Sequence, residues 1–409
     1  MKQPLPPYIY VTLPNGIRFA GVRRKDACVE HCGVAVLAGS RNESLSQEGL
    51  AHFVEHTIFK GTGRRRSWHI LNRMELVGGE LNAYTTKEET VVYSTFPKGH
   101  LDRALDLISD LVMDSRFPSE QIDLERGVVL EEIDSYLDVP SEAIFDDFDE
   151  LIYAGSTLAH NILGNERTVE NFRSADCWAW LERYYTPSRM VVFYSGPLDP
   201  EKASERVARY FGSLDRPENV HSEITPAVLP PFDVVKDISS NQAHTVMGAR
   251  VGGLRSEDRH TVALLTNILG GPSMNSLLNV ELRERHGWVY SADASTALLS
   301  DTGLLTIYFG CDKHNVDKCM RRVGKLIAGI AEGSITDRRL QAAKKQYLGQ
   351  LTVSSTASEG SILSVARATL ILGLAMTRSE IEDAVMSVTT EDIRLVARQL
   401  FPVSRLTLL

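Results

Sequence analysis

Residues 174–193 read SADCWAWLERYYTPSRMVVF, and the far end of the chain, residues 389–409, reads TTEDIRLVARQLFPVSRLTLL. Both stretches place an aspartate near a helix start, a proline where that helix must stop, and a Ser-Arg pair opening an apolar strand. Asp176 to Arg189 and Asp392 to Arg405 span the same number of positions. The match predicts a duplicated unit of roughly two hundred residues.

Upstream of the first copy, YIYVTL, the turn Pro14-Asn15-Gly16 and IRFAGVRR predict a hairpin, and CVEHCGVAVLAGSRNE holds a third strand. Helical periodicity runs over 46–59 and 67–77, and again near 100–115, 119–137, 140–153 and 174–186. Residues 79–97, GELNAYTTKEETVVYSTFP, alternate and predict a long strand or a hairpin, and SRMVVFYSG closes the half as a strand. Residues 215–237 hold Pro217, Pro226, Pro230 and Pro231 without periodicity and read as a linker. Beyond it the pattern restarts with AHTVMGARV and the helix RHTVALLTNILGG. The expected fold is α+β, two duplicated units of a mixed or antiparallel sheet packed with helices. The expected domains are 1–214 and 238–409, joined by 215–237.

Composition narrows the function classes. With 44 Lys+Arg against 53 Asp+Glu among 409 residues, the formal net charge of −9 disfavours nucleic acid as a partner. No apolar run is long enough to cross a bilayer, and prolines stand where a signal peptide needs its apolar segment, so no membrane and no secretion are expected. Five cysteines with no repeated spacing fit reduced thiols in a cytoplasmic protein.

The sharpest local signal is His52-Phe53-Val54-Glu55-His56. On a helix, residues four apart lie about 40° apart in projection, so both imidazoles leave one face, with Glu55 on the same side. Two imidazoles and an adjacent carboxylate are what a hydrolytic zinc site needs, two ligands and a base for the attacking water. The third ligand is expected on the helix SEQIDLERGVVLEEIDSYLD. Within about 80° of Glu125 on the helical wheel fall Ile122, Val129, Glu132, Ile133 and Tyr136, an apolar stripe that carries two carboxylates. Burying a carboxylate there is costly without a cation or hydrogen bonds. Glu132 is therefore the expected third ligand. Glu125, two turns away, is the second carboxylate of the catalytic machinery, expected to hold a histidine or the water. Glu131 should face solvent.

Together, H-x-x-E-H, Glu132 well beyond it and the E-x6-E spacing from Glu125 resemble the inverted-zincin signature of the pitrilysin/insulinase family (M16). The resemblance covers essentially the whole chain, and its length resembles the short bacterial, processing-peptidase-like branch. It implies half of a clamshell, one Zn2+ per chain held by His52, His56 and Glu132, and Glu55 as general base of a metalloendopeptidase or oligopeptidase. ELNAYTTKEETVVY is similar to the family's active-site edge strand, which implies that Asn82 and Ala83 pair with an extended peptide. GGPSMNSLLNVELRERHGWVYS is similar to the family's Gly-rich turn, helix and Arg/Tyr pair, which implies that Arg283 and Tyr290 grip the substrate carbonyl. Leu278 departs from the arginine that relatives often carry there. The resemblance also implies a homodimer, with a heterodimer of related chains as the alternative.

The second half has no H-x-x-E-H, since its corresponding helix is apolar where ligands would stand. Cys28-Val29-Glu30-His31-Cys32 is a weaker metal candidate, because alternation along a strand splits its side chains between two faces. Arg64-Arg65-Arg66 is expected to be a solvated loop. Two rival functions remain, a non-catalytic partner subunit and a peptide-binding scaffold that holds peptides without cutting them.

Overall fold

The computed structural model describes residues 8–218 and 224–409. Its architecture is α+β, with two sheets and helices on them. The first sheet holds β1 (Ile9–Thr12), β2 (Arg18–Arg23), β3 (Val29–Val36), β4 (Glu80–Thr85), β5 (Thr90–Pro97) and β6 (Met190–Gly196), in the order β1-β2-β6-β3-β5-β4. The second holds β7 (Asp233–Lys236), β8 (Ala243–Val251), β9 (Val289–Leu298), β10 (Gly303–Cys311) and β11 (Ser404–Leu408), in the order β7-β11-β8-β10-β9.

The duplication is visible in the pairing. The sequence β2-β6-β3-β5-β4 has one parallel pair, β2 with β6, followed by antiparallel pairs. The sequence β7-β11-β8-β10-β9 likewise has one parallel pair, β7 with β11, followed by antiparallel pairs. Only β1 lacks a counterpart among the described residues. Asn15-Gly16 makes the β1–β2 turn as its sequence demands, with Gly16 at φ +96° and its N–H donating to the Leu13 carbonyl.

Both faces of the central strands are covered, which explains why they read as continuous apolar runs. In β6, Met190, Val192 and Tyr194 face one core, with the helices Leu50–Thr57, Leu101–Asp114 and Ser174–Tyr184. Val191 and Phe193 face the other way, with Ala20, Val22, Ala35 and Val91, onto Ile362, Val365, Ala366 and Leu370 of the helix Ser358–Leu372. The second sheet repeats the plan. Met247, Ile307 and Phe309 enter one core, while Val246, Leu304, Tyr308 and Leu406 pack on Ile144, Phe148 and Ile152 of the helix Pro140–Ile152.

The two compact units therefore interleave along the chain. The first comprises residues 1–134, 160–224 and 354–378, and the second 135–159, 225–353 and 379–409. This departs from contiguous domains at 1–214 and 238–409, for a physical reason. Each sheet has two apolar faces, and each unit fills the second with a helix from the other half of the sequence. The linker reading also needs correction. Residues 219–223 of it lie outside the described residues, but Asp233–Lys236 is strand β7, paired in parallel with β11. Its four residues, just after Pro230-Pro231, are too few to show periodicity. The arginine run is not simply solvated either. Arg64 and Arg65 both pair with Asp106 and with Asp110, whose side chain is 1% exposed.

Candidate metal centre

Three elements of the first unit build the site. The helix Leu50–Thr57 carries His52, Glu55 and His56, with its apolar residues Leu50, Ala51, Phe53 and Val54 fully buried. The helix Ser119–Leu137 buries Ile122, Glu125, Val129 and Ile133, the expected stripe. Strand β4 ends the strand order of its sheet and leaves an edge without a strand partner among the described residues.

The side chains converge. Nitrogen atoms of His52 and His56 and a carboxylate oxygen of Glu132 all lie within 4.8 Å of one another, and this is the one such cluster among the described residues. His56 Nε2 is 3.3 Å and His52 Nε2 3.8 Å from Glu132 Oε2, and the two rings stand edge to face at 4.5 Å. Tetrahedral zinc with bonds of about 2.0–2.2 Å holds its ligand atoms roughly 3.4 Å apart. A donor set of two imidazole nitrogens and one carboxylate suits zinc in a site with an open position.

Protonation and orientation fit the same reading. Burial, reinforced by His56, pushes the His52 imidazole down to about 3, so it is neutral near pH 7 with a lone pair free for a metal. Glu125 accepts from His56 Nδ1 at 3.0 Å, which leaves Nε2 of that ring as the lone-pair nitrogen facing Glu132. The other Glu125 oxygen meets Lys60 Nζ at 2.6 Å, so this buried carboxylate is both paired and hydrogen-bonded. Glu55 projects from the same helix, and its Oε2 is buried without a hydrogen-bond partner among the described residues. Burial pushes its carboxyl up, with Glu132 adding to the effect, while a hydrogen bond with Thr85 of β4 and the nearby His56 act the other way.

Glu132 differs in one respect from its expected place. It lies on the stripe side of the helix, but its side chain is 44% exposed, because the histidines approach it at the stripe's open margin. Glu131 is exposed, as expected. Asn82 and Ala83 sit on β4 opposite Tyr93 and Val92 of β5, Asn82 exposed and Ala83 packed on the core. Arg283 and Tyr290 belong to the second unit. Arg283 is exposed on a short π-helix, Asn279–Glu284, and Tyr290 is 63% exposed on the edge strand β9. The candidate at residues 28–32 makes no cluster. Cys28 is exposed, Glu30 accepts from the Tyr194 hydroxyl, and His31 is hydrogen-bonded to Thr95 and Ser358.

Lys60 and Thr85 were not anticipated. Lys60 follows His56 by one helical turn, so the i, i+4 spacing carries a signal for it. Thr85 meets Glu55 only through the tertiary structure.

The three side chains could hold a metal ion, and sequence comparison gives the family of the chain. Residues 22–166 match the model of insulinase, peptidase family M16, and residues 171–347 match the model described as the peptidase M16 inactive domain. A Bacillus subtilis protein named uncharacterized zinc protease YmxG is 30% identical over 393 residues, covering 95% of each chain. The mitochondrial-processing peptidase subunit beta of Caenorhabditis elegans is 26% identical, covering 97% of this chain and 88% of that one. A protease from Helicobacter pylori, 21% identical, has the same fold with a TM-score of 0.89 over 99% of both chains. The chain belongs to peptidase family M16.

Proposed function

We propose that the protein is a zinc-dependent endopeptidase or oligopeptidase that hydrolyses unfolded or extended peptides. The convergence of His52, His56 and Glu132 beside the buried, unpartnered Glu55 oxygen carries this reading. His52, His56 and Glu132 would hold one zinc ion per chain. When bound, zinc supplies Lewis-acid chemistry, polarising a peptide carbonyl and acidifying water.

The protein's own groups do the rest. Glu55 takes a proton from the attacking water and delivers it to the departing amine, a task suited to a carboxylate whose proton affinity burial has raised. Glu125 holds the His56 ring, and Lys60 holds Glu125. The free edge of β4 offers main-chain groups at Asn82 and Ala83 to an extended peptide, a mode that reads backbone more than sequence. Arg283 and Tyr290, exposed and polar, are assigned to the substrate carbonyl as negative charge develops there.

The working form is taken to be a dimer, identical chains first and a related chain second, as the processing-peptidase relative is named as a subunit. Five free cysteines suit a reducing, cytoplasmic setting. The test is cleavage of a quenched peptide library by the purified chain, before and after chelation and after zinc is restored. Zinc-dependent cleavage is expected. Stoichiometric zinc without cleavage would point to the peptide-binding scaffold, and neither zinc nor cleavage to the non-catalytic subunit.

A further inference from the structure

The ligand helix Leu50–Thr57 is only eight residues long and begins on Gly49, which has no side chain with which to cap it. Gly49 stands at φ +90°, and a Cβ there would lie 2.6 Å from the Gly164 Cα and 2.7 Å from the Leu163 carbonyl oxygen. Two N–H groups at the helix start are met instead by a side chain from upstream. Glu43 Oε2 accepts from the Gly49 N–H at 2.9 Å and Oε1 from the Ala51 N–H at 2.7 Å, so both oxygens are spent on the helix start. The residue is 2% exposed. Ala51 immediately precedes His52.

The turn that carries Glu43 is itself clamped. The Ser40 and Arg41 N–H groups donate to the Thr86 and Lys87 carbonyls, and a Cβ on Gly39 would lie 2.3 Å from the Thr86 oxygen. Arg41 pairs with Glu88 at 2.6 Å, with side chains 3% and 2% exposed. Residues 86–89 are the tip joining β4 to β5. One five-residue turn, Gly39 to Glu43, thus grips the hairpin whose outer strand is β4 and, through one carboxylate, the start of the helix bearing His52, Glu55 and His56.

We infer that Glu43 is a positioning residue for the metal centre, fixing the first turn of the ligand helix and hence His52 against Glu132 and the β4 edge. This rests on the metallopeptidase reading above. The clamp on residues 39–41 gives Glu43 a rigid base from which to act. Among the described residues the helix start has no other side-chain acceptor, only the Gln47 carbonyl on the Leu50 N–H, so loss of the carboxylate loosens the turn that holds one ligand while leaving the core under Phe53 and Val54 intact.

The test uses full-length Glu43→Gln, with Glu43→Asp as the shorter control that keeps a carboxyl group. Amide hydrogen exchange over Gly49–Phe53, which needs no metal, should quicken in Glu43→Gln while exchange in β3 and β6 stays as it was. Co2+ substituted for zinc should bind about 10–100-fold more weakly with a changed visible spectrum, as when other partners that orient ligands are removed. Peptide hydrolysis should lose kcat with KM retained, and Glu43→Asp should recover part of each effect. Should Glu43→Gln fail to fold, the same readings on Glu43→Asp decide, with intermediate losses expected. Unchanged exchange and an unchanged Co2+ spectrum in a folded variant would overturn the role of Glu43 alone. A wild-type protein that binds no Co2+ would overturn the metal reading and this assignment with it.

Discussion

Glu55 shares a helix face with two histidines yet leaves them free to meet Glu132, and that separation of roles can be measured. Glu55→Gln should lower hydrolysis by about 10²–10⁴-fold, the span usual for removal of a general base. Its zinc content should be unchanged, because none of the three ligands is touched. Loss of zinc from a folded Glu55→Gln protein would contradict the assignment. Glu132→Gln should behave in the opposite way, weakening zinc binding first, since an anionic ligand becomes a neutral amide. Glu131→Gln should be nearly silent, and metal titrations of the two variants side by side check the helical-wheel argument. That wheel was informative because Glu125 sits among Ile122, Val129 and Ile133, where an unpaired carboxylate would be costly. It could not show that Glu132 lies at the open margin, which depends on how the two helices meet.

At the scale of elements, the helices that cover the outer sheet faces carry the least expected feature of the fold. The run MVVFYSG reads as a strand, but no local pattern says which distant helix fills its second face. Pairing order was illegible for the same reason, and β7 was hidden because four residues cannot establish a period. Two predictions follow from the exchanged helices. A chain ending at residue 214 would lack Ser358–Leu372 and leave Ala20, Val22, Val91, Val191 and Phe193 uncovered, so it should aggregate or remain molten when expressed alone. A monodisperse fragment with a cooperative thermal transition would contradict this. The second concerns Glu89, buried at 3% exposure and 3.6 Å from Arg367 of the covering helix. Burial pushes its carboxyl from the usual 4.5 up to about 7, against the pull of Arg367. The folded state then binds this proton more tightly than the unfolded chain. Stability from Glu89 is therefore full below about pH 4.5 and is lost as pH rises towards 7. Glu89→Gln should flatten that part of the stability profile in denaturant titrations across the window, and an unaltered slope would count against it.

At the scale of the molecule, the two sheets and the helices on them divide between two compact units. The cluster of His52, His56 and Glu132 lies in the first unit, and Arg283 and Tyr290 lie in the second. If the working form is a dimer in which one chain's Arg283 and Tyr290 serve its partner's zinc, inactive variants should complement each other. Glu55→Gln and Arg283→Ala/Tyr290→Phe should each be nearly inactive alone and regain activity when mixed under subunit exchange. No recovery despite verified exchange would remove the shared site and leave the zinc chemistry standing. The central claim is the ligand set itself, and X-ray absorption at the zinc edge reads it most directly. The account predicts a first shell of nitrogen and oxygen only, at about 2.0–2.2 Å, with two imidazoles and a carboxylate that disappears in Glu132→Gln. Sulfur scattering at about 2.3 Å, or a shell that Glu132→Gln leaves unchanged, would contradict it.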